Sequence, residues 1–249
     1  MDLLSPGLLL PILVIFFISG LAKGITGLGM VVVAMALLST FMPPVLAAAL
    51  LIAPSLVTNL WQWLAGPDLA GLSRRFAWMA LGILLGTIPA TVLLTRLDPL
   101  WSAHALGLAL TLYALWALFS RPLVLARRDE TWLSPLIGAM TGLVTGATGV
   151  LTLPAVPYLQ ALNLERDELV QALGLSFTAS TLALAVGLSL HGAFDIAQLS
   201  LSISAIPVAL AGMYLGQRIR HRIPPRPFRY LFLLTLLLLG LELASRPFF

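Results

Sequence analysis

An integral membrane protein built only of helices is the fold class this 249-residue sequence predicts, and three features predict it. Hydrophobic residues make up 59% of the chain and charged residues 10%, against about 25% charged in an ordinary soluble domain. Mean hydropathy is +1.01. The apolar residues fall into ten continuous runs that use nearly the whole chain. The runs are too long and too evenly apolar for barrel strands of about 9–11 residues with polar alternation.

Taken in order, the first run, residues 4–21, lacks a basic leading segment and a small-residue cleavage site, so it is read as a retained helix. Residues 30–42 form a second, shorter run. Residues 45–64 follow, with Ser55, Thr58 and Asn59 at mid-run, then 76–95 with Gly82 and Gly86, and 100–119. After a charged connector containing "ARRDE" come two short runs, 133–145 and 150–162. The last three are 169–190 with Ser176, Thr178 and Ser180, 199–215 with Gly212 and Gly216, and 230–243. Several approach the ~20 residues that cross ~30 Å of hydrocarbon; 30–42, 133–145 and 150–162 are expected to enter without fully crossing.

Charge orients the chain. With alternating segments, Arg74, Arg75, Arg121, Arg127, Arg128, Arg166, Arg218, Arg220, Arg222, Arg226 and Arg229 share one side, against Arg96 and Arg246 on the other. The positive-inside rule makes the arginine-rich side cytoplasmic and places both termini outside. The net charge of +4 is then a property of membrane connections, not a nucleic-acid footprint.

The halves look alike. Gly20-x3-Gly24-x2-Gly27-x-Gly29 parallels Gly138-x3-Gly142-x3-Gly146-x2-Gly149, and prolines follow each (Pro43 and Pro44; Pro154 and Pro157). Ser55-Leu-Val-Thr58-Asn59 parallels Ser176-Phe-Thr178-Ala-Ser180, and Gly82-x3-Gly86 parallels Gly212-x3-Gly216. The organisation predicted is a first repeat (1–120), a connector (121–131) and a second repeat (132–249). Each half holds an odd number of segments, so the second copy enters the membrane inverted, as transporter repeats do.

Glycine-rich breaks at membrane depth occur only where protein or a watery cavity surrounds the backbone. A break exposes a helix N-terminus with free N–H groups and partial positive charge, which suits an anion. The candidate substrate-binding set is therefore Lys23, Gly24, Thr26, Gly27 and Gly29 at the first break, and Gly142, Thr145, Gly146, Thr148 and Gly149 at the second. Ser55, Asn59, Ser176 and Ser180 join them from the following runs. Gly82, Gly86, Gly212 and Gly216 are read instead as small-residue packing contacts. Lys23 has two readings: a functional charge at depth, or an ordinary lysine snorkelling to the boundary.

The residues that are missing narrow the chemistry. No carboxylate stands at mid-run, so no buried proton or sodium relay is visible. The chain has no cysteine, and no Gly-x-Ser-x-Gly, His-Glu-x-x-His or Walker motif, which argues against an enzyme and against a bound metal or cofactor.

The segments "GLAKGITGLG", "GLVTGATGVLTLPAVPYLQAL" and "GLSFTASTLAL" together resemble the TauE/SafE family of sulfite exporters, over nearly the whole chain. The resemblance implies a bacterial inner-membrane transporter of sulfite, sulfoacetate or related organosulfonate or carboxylate anions. Its matching positions are residues 23–29 and 142–149; Thr152-Leu153-Pro154 departs from the glycine-proline-proline turn of many relatives. The partners expected are a small anion and the bilayer, with proton coupling and a homo-oligomer left open. A channel-like anion pathway and a non-transporting membrane scaffold are the alternatives.

Overall fold

The computed structural model describes residues 6–119, 125, 128–194, 196–219 and 225–246, and among them the only regular secondary structure is helix. Arg121, Arg127, Arg220 and Arg222, used above, lie outside the described residues, as does most of the connector. Helix α1 (Pro6–Thr26) leads into the short α2 (Met30–Leu38) and the long α3 (Pro44–Leu64). Next come α4 (Leu69–Arg75), α5 (Ala77–Arg96) and α6 (Pro99–Phe119). The second half has α7 (Glu130–Thr148), the short α8 (Ala155–Ala161), α9 (Arg166–Leu190), α10 (Ile196–Ile219) and α11 (Pro225–Ala244).

Six of the described helices are long and apolar enough to cross a membrane. Their outward faces carry side chains that water would not tolerate in such number, among them Leu85, Leu108 and Leu190. Exposed Trp61, Trp78, Trp101 and Trp132 stand near helix ends, where amphipathic rings meet the headgroup layer.

The structure lengthens one element that the sequence pattern made short. The run at 133–145 belongs to α7, whose 19 residues span about 28 Å at 1.5 Å per residue. The polar first turn and the threonines hide its length from an apolar count. Each half thus opens with a full-length arm and a short return arm, 9 residues in α2 and 7 in α8. Helix α4 went unread because it is short; Asp68 starts it by accepting the Gly71 N–H at 2.9 Å.

Glycine seams hold the helices together and tie the two halves to each other. A Cβ on Gly20 would stand 2.1 Å from the Ala209 carbonyl oxygen, and one on Gly24 2.2 Å from that of Met213. The contacts advance together along both chains, so α1 and α10 run parallel. Gly82 and Gly86 meet Pro135, Ala139 and Gly142 in the same way, so α5 and α7 also run parallel. Helices α3 and α9 are antiparallel, with Gly174 against Trp63 while Asn59 reaches Thr181. Helices α6 and α11 are antiparallel too, with Gly107 and Gly240 facing one another. The packing role read for Gly82, Gly86, Gly212 and Gly216 is the one they have.

The short arms sit at the centres of two cores. Met30 and Met35 of α2 lie among Phe16, Leu50, Leu106 and Leu110. Val156 and Leu159 of α8 lie among Phe76, Met79, Ile83 and Leu173. At one end of the molecule Arg75 holds Glu130 in a two-pronged pair at 2.6 and 2.7 Å. There also Gln171 accepts from the Asp68 N–H and donates to the Trp63 carbonyl. The described arginines Arg74, Arg75, Arg128 and Arg166 belong to the helices and turns that meet there. Elsewhere, Arg246 donates to the Ser39 and Thr40 carbonyls, tying the end of α11 to the turn after α2.

Candidate functional site

Both breaks follow one local plan. Helix α1 stops because Gly27 and Gly29 take φ of +78° and +96°; α7 stops because Gly149 takes +74°. A side chain disfavours these left-handed angles and glycine does not. In each break the glycine N–H still bonds back to the carbonyl four residues earlier, Gly27 to Lys23 and Gly149 to Thr145, both at 2.7 Å. In each, the preceding threonine holds the turn. Thr26 donates to the Ala22 carbonyl and accepts from the Leu28 N–H; Thr148 donates to the Val144 carbonyl and accepts from the Val150 N–H.

Lys23 decides the character of the first break. It is 4% exposed, and its ammonium donates to Thr58 Oγ1 at 3.0 Å and Asn59 Oδ1 at 2.5 Å. Among the described residues no carboxylate lies within ion-pair distance of it. The snorkelling reading therefore fails: the side chain turns inward to α3. A buried ammonium held only by neutral oxygens lacks a counter-charge, which is costly to maintain in a protein interior. Helix ends add little net charge here. The carbonyl end of α1 and the N–H end of α2 are separated by residues 27–29, so their partial charges of about −0.5 and +0.5 oppose one another.

Two small cavities and one vestibule surround this point. Lys23, Gly29, Asn59, Thr152 and Phe177 line a cavity of about 10 Å³ together with the first turn of α2, room for roughly one water. Ser55, Gly149 and Thr181 line a neighbour of the same volume, otherwise walled by Val31, Ala48, Leu51, Ile52, Leu151 and Leu184. A vestibule of about 380 Å³ reaches Lys23 past Gly27, Gln62, Val170 and Gln217, with Trp61, Pro67 and Asp167 also on its wall. Gln62 donates to the Gly27 carbonyl at 3.0 Å, so it braces the break from the vestibule side.

The fourteen residues singled out from sequence divide accordingly. Lys23, Gly29 and Asn59 come together around one cavity, and Ser55 and Gly149 line its neighbour. Gly24 and Gly27 border the vestibule. Gly142 and Gly146 face α5 instead, where added Cβ atoms would stand 2.5–2.6 Å from Ile83, Thr87 and Ala90 atoms. Thr26, Thr145 and Thr148 bond to the backbone of their own breaks, and Ser176 bonds to the Ala172 carbonyl one turn back. Ser180 is fully buried, and its hydroxyl has no partner among the described residues.

Sequence reasoning missed Gln62 and Thr152. Gln62 falls four residues after Thr58 and three after Asn59, so helical spacing places it on their face. Thr152 is 2% exposed, with a hydroxyl that finds no partner among the described residues. In the sequence it stands out only as a departure from the turn of many relatives; the approach of the second break to α1 and α3 is what brings it to the cavity that Lys23 lines.

A family model described as Sulfite exporter TauE/SafE matches residues 12–243. Neither the curated proteins nor the solved structures include a match to the chain.

Proposed function

Because the chain belongs to the TauE/SafE sulfite exporter family, a family of membrane transporters, we propose that it exports a small anion. Sulfite, sulfoacetate and related organosulfonates or carboxylates are the candidates, carried across the bacterial inner membrane by alternating access. The observation that carries this reading is Lys23: a buried ammonium with no carboxylate within ion-pair distance among the described residues, at the inner end of a vestibule. Such a group calls for a mobile counter-ion, and the substrate supplies it.

The vestibule is walled by the last turns of α3 and α10 and the first of α9, the arginine-rich end that the positive-inside rule makes cytoplasmic. Both termini are then outside. Beyond Lys23 the cavities shrink to about a water's volume, which favours a carrier with a closed far side over an open channel. The parallel seams α1–α10 and α5–α7 match one another when the halves are exchanged, as do the antiparallel pairs. That correspondence supports an inverted repeat, whose halves can trade conformations to open the other side.

Export of a monovalent anion gains about 2.3 kcal/mol per 100 mV from an inside-negative potential, so voltage alone can drive it. The test is efflux from proteoliposomes loaded with sulfite, sulfoacetate or chloride under an imposed voltage, with and without a pH gradient. Saturable, voltage-driven efflux of a sulfur oxyanion that Lys23→Gln abolishes is the expected result. Efflux of no anion from folded protein, or non-saturating flux at channel rates, would overturn the carrier.

A further inference from the structure

The geometry points to a narrower substrate class: a singly charged organic anion with a short apolar tail, held head-first at Lys23, Asn59 and Thr152. This rests on the anion-carrier reading and narrows its candidates by charge and shape, favouring bisulfite and monosulfonates and removing the dianion sulfoacetate.

Charge is the first argument. Among the described residues only Lys23 and Glu130 are charged side chains less than a tenth exposed, and Glu130 is already paired with Arg75. One cation therefore serves the core. The opposed helix ends of the first break contribute little net charge, and α8 is only 7 residues long. A monoanion brings the site to neutrality, whereas a dianion leaves a full negative charge buried among neutral groups.

The donors fit a single anionic head. An ammonium has three N–H bonds, and two are directed at Thr58 and Asn59, which leaves one for a ligand. The Thr152 hydroxyl is buried, lines the same cavity and has no partner among the described residues. The first backbone N–H groups of α2 border it as well, and a first helical turn leaves such groups without intrahelical acceptors. Together these can surround one sulfonate, bisulfite or carboxylate group.

The second argument is the adjoining cavity. It shares Val31 and Leu151 with the first, one residue from each break, and is otherwise mostly aliphatic with the unpartnered hydroxyl of Ser55. Movement of those two side chains would join the cavities into a charged end and an apolar end. Each cavity as it stands holds about one water; once joined, the aliphatic lining suits a two-carbon tail and disfavours a second sulfonate or carboxylate.

The experiment is calorimetric titration of the purified full-length protein in detergent with ethanesulfonate, ethane-1,2-disulfonate and sulfate, with sulfite and chloride as references. Ethanesulfonate should bind at least 10-fold more tightly than either dianion and more tightly than chloride. Thr152→Val should weaken it at least five-fold while Thr152→Ser restores it, with thermal midpoints showing all variants folded. Equal or tighter binding of disulfonate or sulfate would overturn the charge assignment and leave the anion carrier standing. Ethanesulfonate no tighter than chloride would overturn the tail, and full affinity in Thr152→Val would remove Thr152. Absence of binding by all five anions would instead refute the underlying carrier reading.

Discussion

Replacing Lys23 with methionine separates a ligand-binding charge from a structural tie, because the two roles move stability and transport in different directions. Methionine keeps the length of the side chain and removes its charge. In the wild type the ammonium meets Thr58 Oγ1 at 3.0 Å and Asn59 Oδ1 at 2.5 Å. After the exchange Thr58 still donates to the Pro54 carbonyl at 2.8 Å, but Asn59 Oδ1 loses the lysine. An orphaned buried acceptor costs about 1–3 kcal/mol. Against that, removing an ion without a counter-charge recovers a desolvation penalty of several kcal/mol. The empty protein should therefore keep its thermal midpoint or gain slightly. Substrate binding should fall by the worth of a charge-assisted hydrogen bond, about 1.5–3 kcal/mol, or roughly 10- to 150-fold in affinity. The assay is a thermal-unfolding series with and without the exported anion, beside proteoliposome efflux. At 100 times its dissociation constant a ligand stabilises by about 2.7 kcal/mol, and at that same concentration Lys23→Met should cut the gain to about 0.3–1.4 kcal/mol. A variant that loses several kcal/mol when empty but transports with unchanged KM would show Lys23 to be a tie between α1 and α3, and would refute the reasoning.

The seams give a matched pair of substitutions: Gly20→Ala drives a methyl toward the Ala209 carbonyl at 2.1 Å, whereas Gly7→Ala meets nothing within 4 Å. The first should lower the thermal midpoint by the equivalent of about 1–3 kcal/mol, as overpacking does, and the second should leave it within error. Glu130→Gln should weaken the tie between the start of α7 and Arg75 by about 1–3 kcal/mol, since Glu130 is buried and holds both prongs of the guanidinium; a salt-independent midpoint equal to wild type would refute it. The chain has no cysteine, so Val170→Cys places a single thiol on the vestibule wall. A membrane-impermeant maleimide should label it in inside-out vesicles and not in right-side-out cells, and the reverse pattern would invert the orientation.

Much of this arrangement was legible in the sequence, and the parts that were not have definite causes. The breaks could be read because a left-handed turn at membrane depth selects glycine, so Gly27, Gly29 and Gly149 stood out. Composition could not separate them from seam glycines, but register can. Gly20 and Gly24 lie four apart along one stripe facing α10, as Gly138, Gly142 and Gly146 do facing α5. In both halves the next glycine comes three residues later, at Gly27 and Gly149, off the stripe, and there the helix stops. The threonines have a local role for a related reason. A hydroxyl just before a left-handed glycine finds the freed backbone of the turn closer than any ligand, so Thr26 and Thr148 close on their own breaks. Thr152 gains its place beside the site from packing between distant segments, which no local spacing encodes.

The likeness of the two breaks makes their one difference informative. Lys23 and Thr145 stand at the same place, four residues before the left-handed glycine and bonded to it through the same carbonyl. Lys23 points across to α3, while the Thr145 hydroxyl closes onto the Val150 carbonyl at 3.2 Å. Two lysines there would have given a site for a dianion, and two threonines a site with no charge to attract any ion from water. One of each gives a site neutralised by a single negative charge. In the inverted-repeat reading the halves exchange shapes during transport but not their residues, so the same lysine must meet the anion from both sides of the membrane. The vestibule and the small cavity lined by Thr152 of the opposite half both border Lys23. A lysine on the shared wall of both spaces is where an alternating-access carrier needs a buried cation.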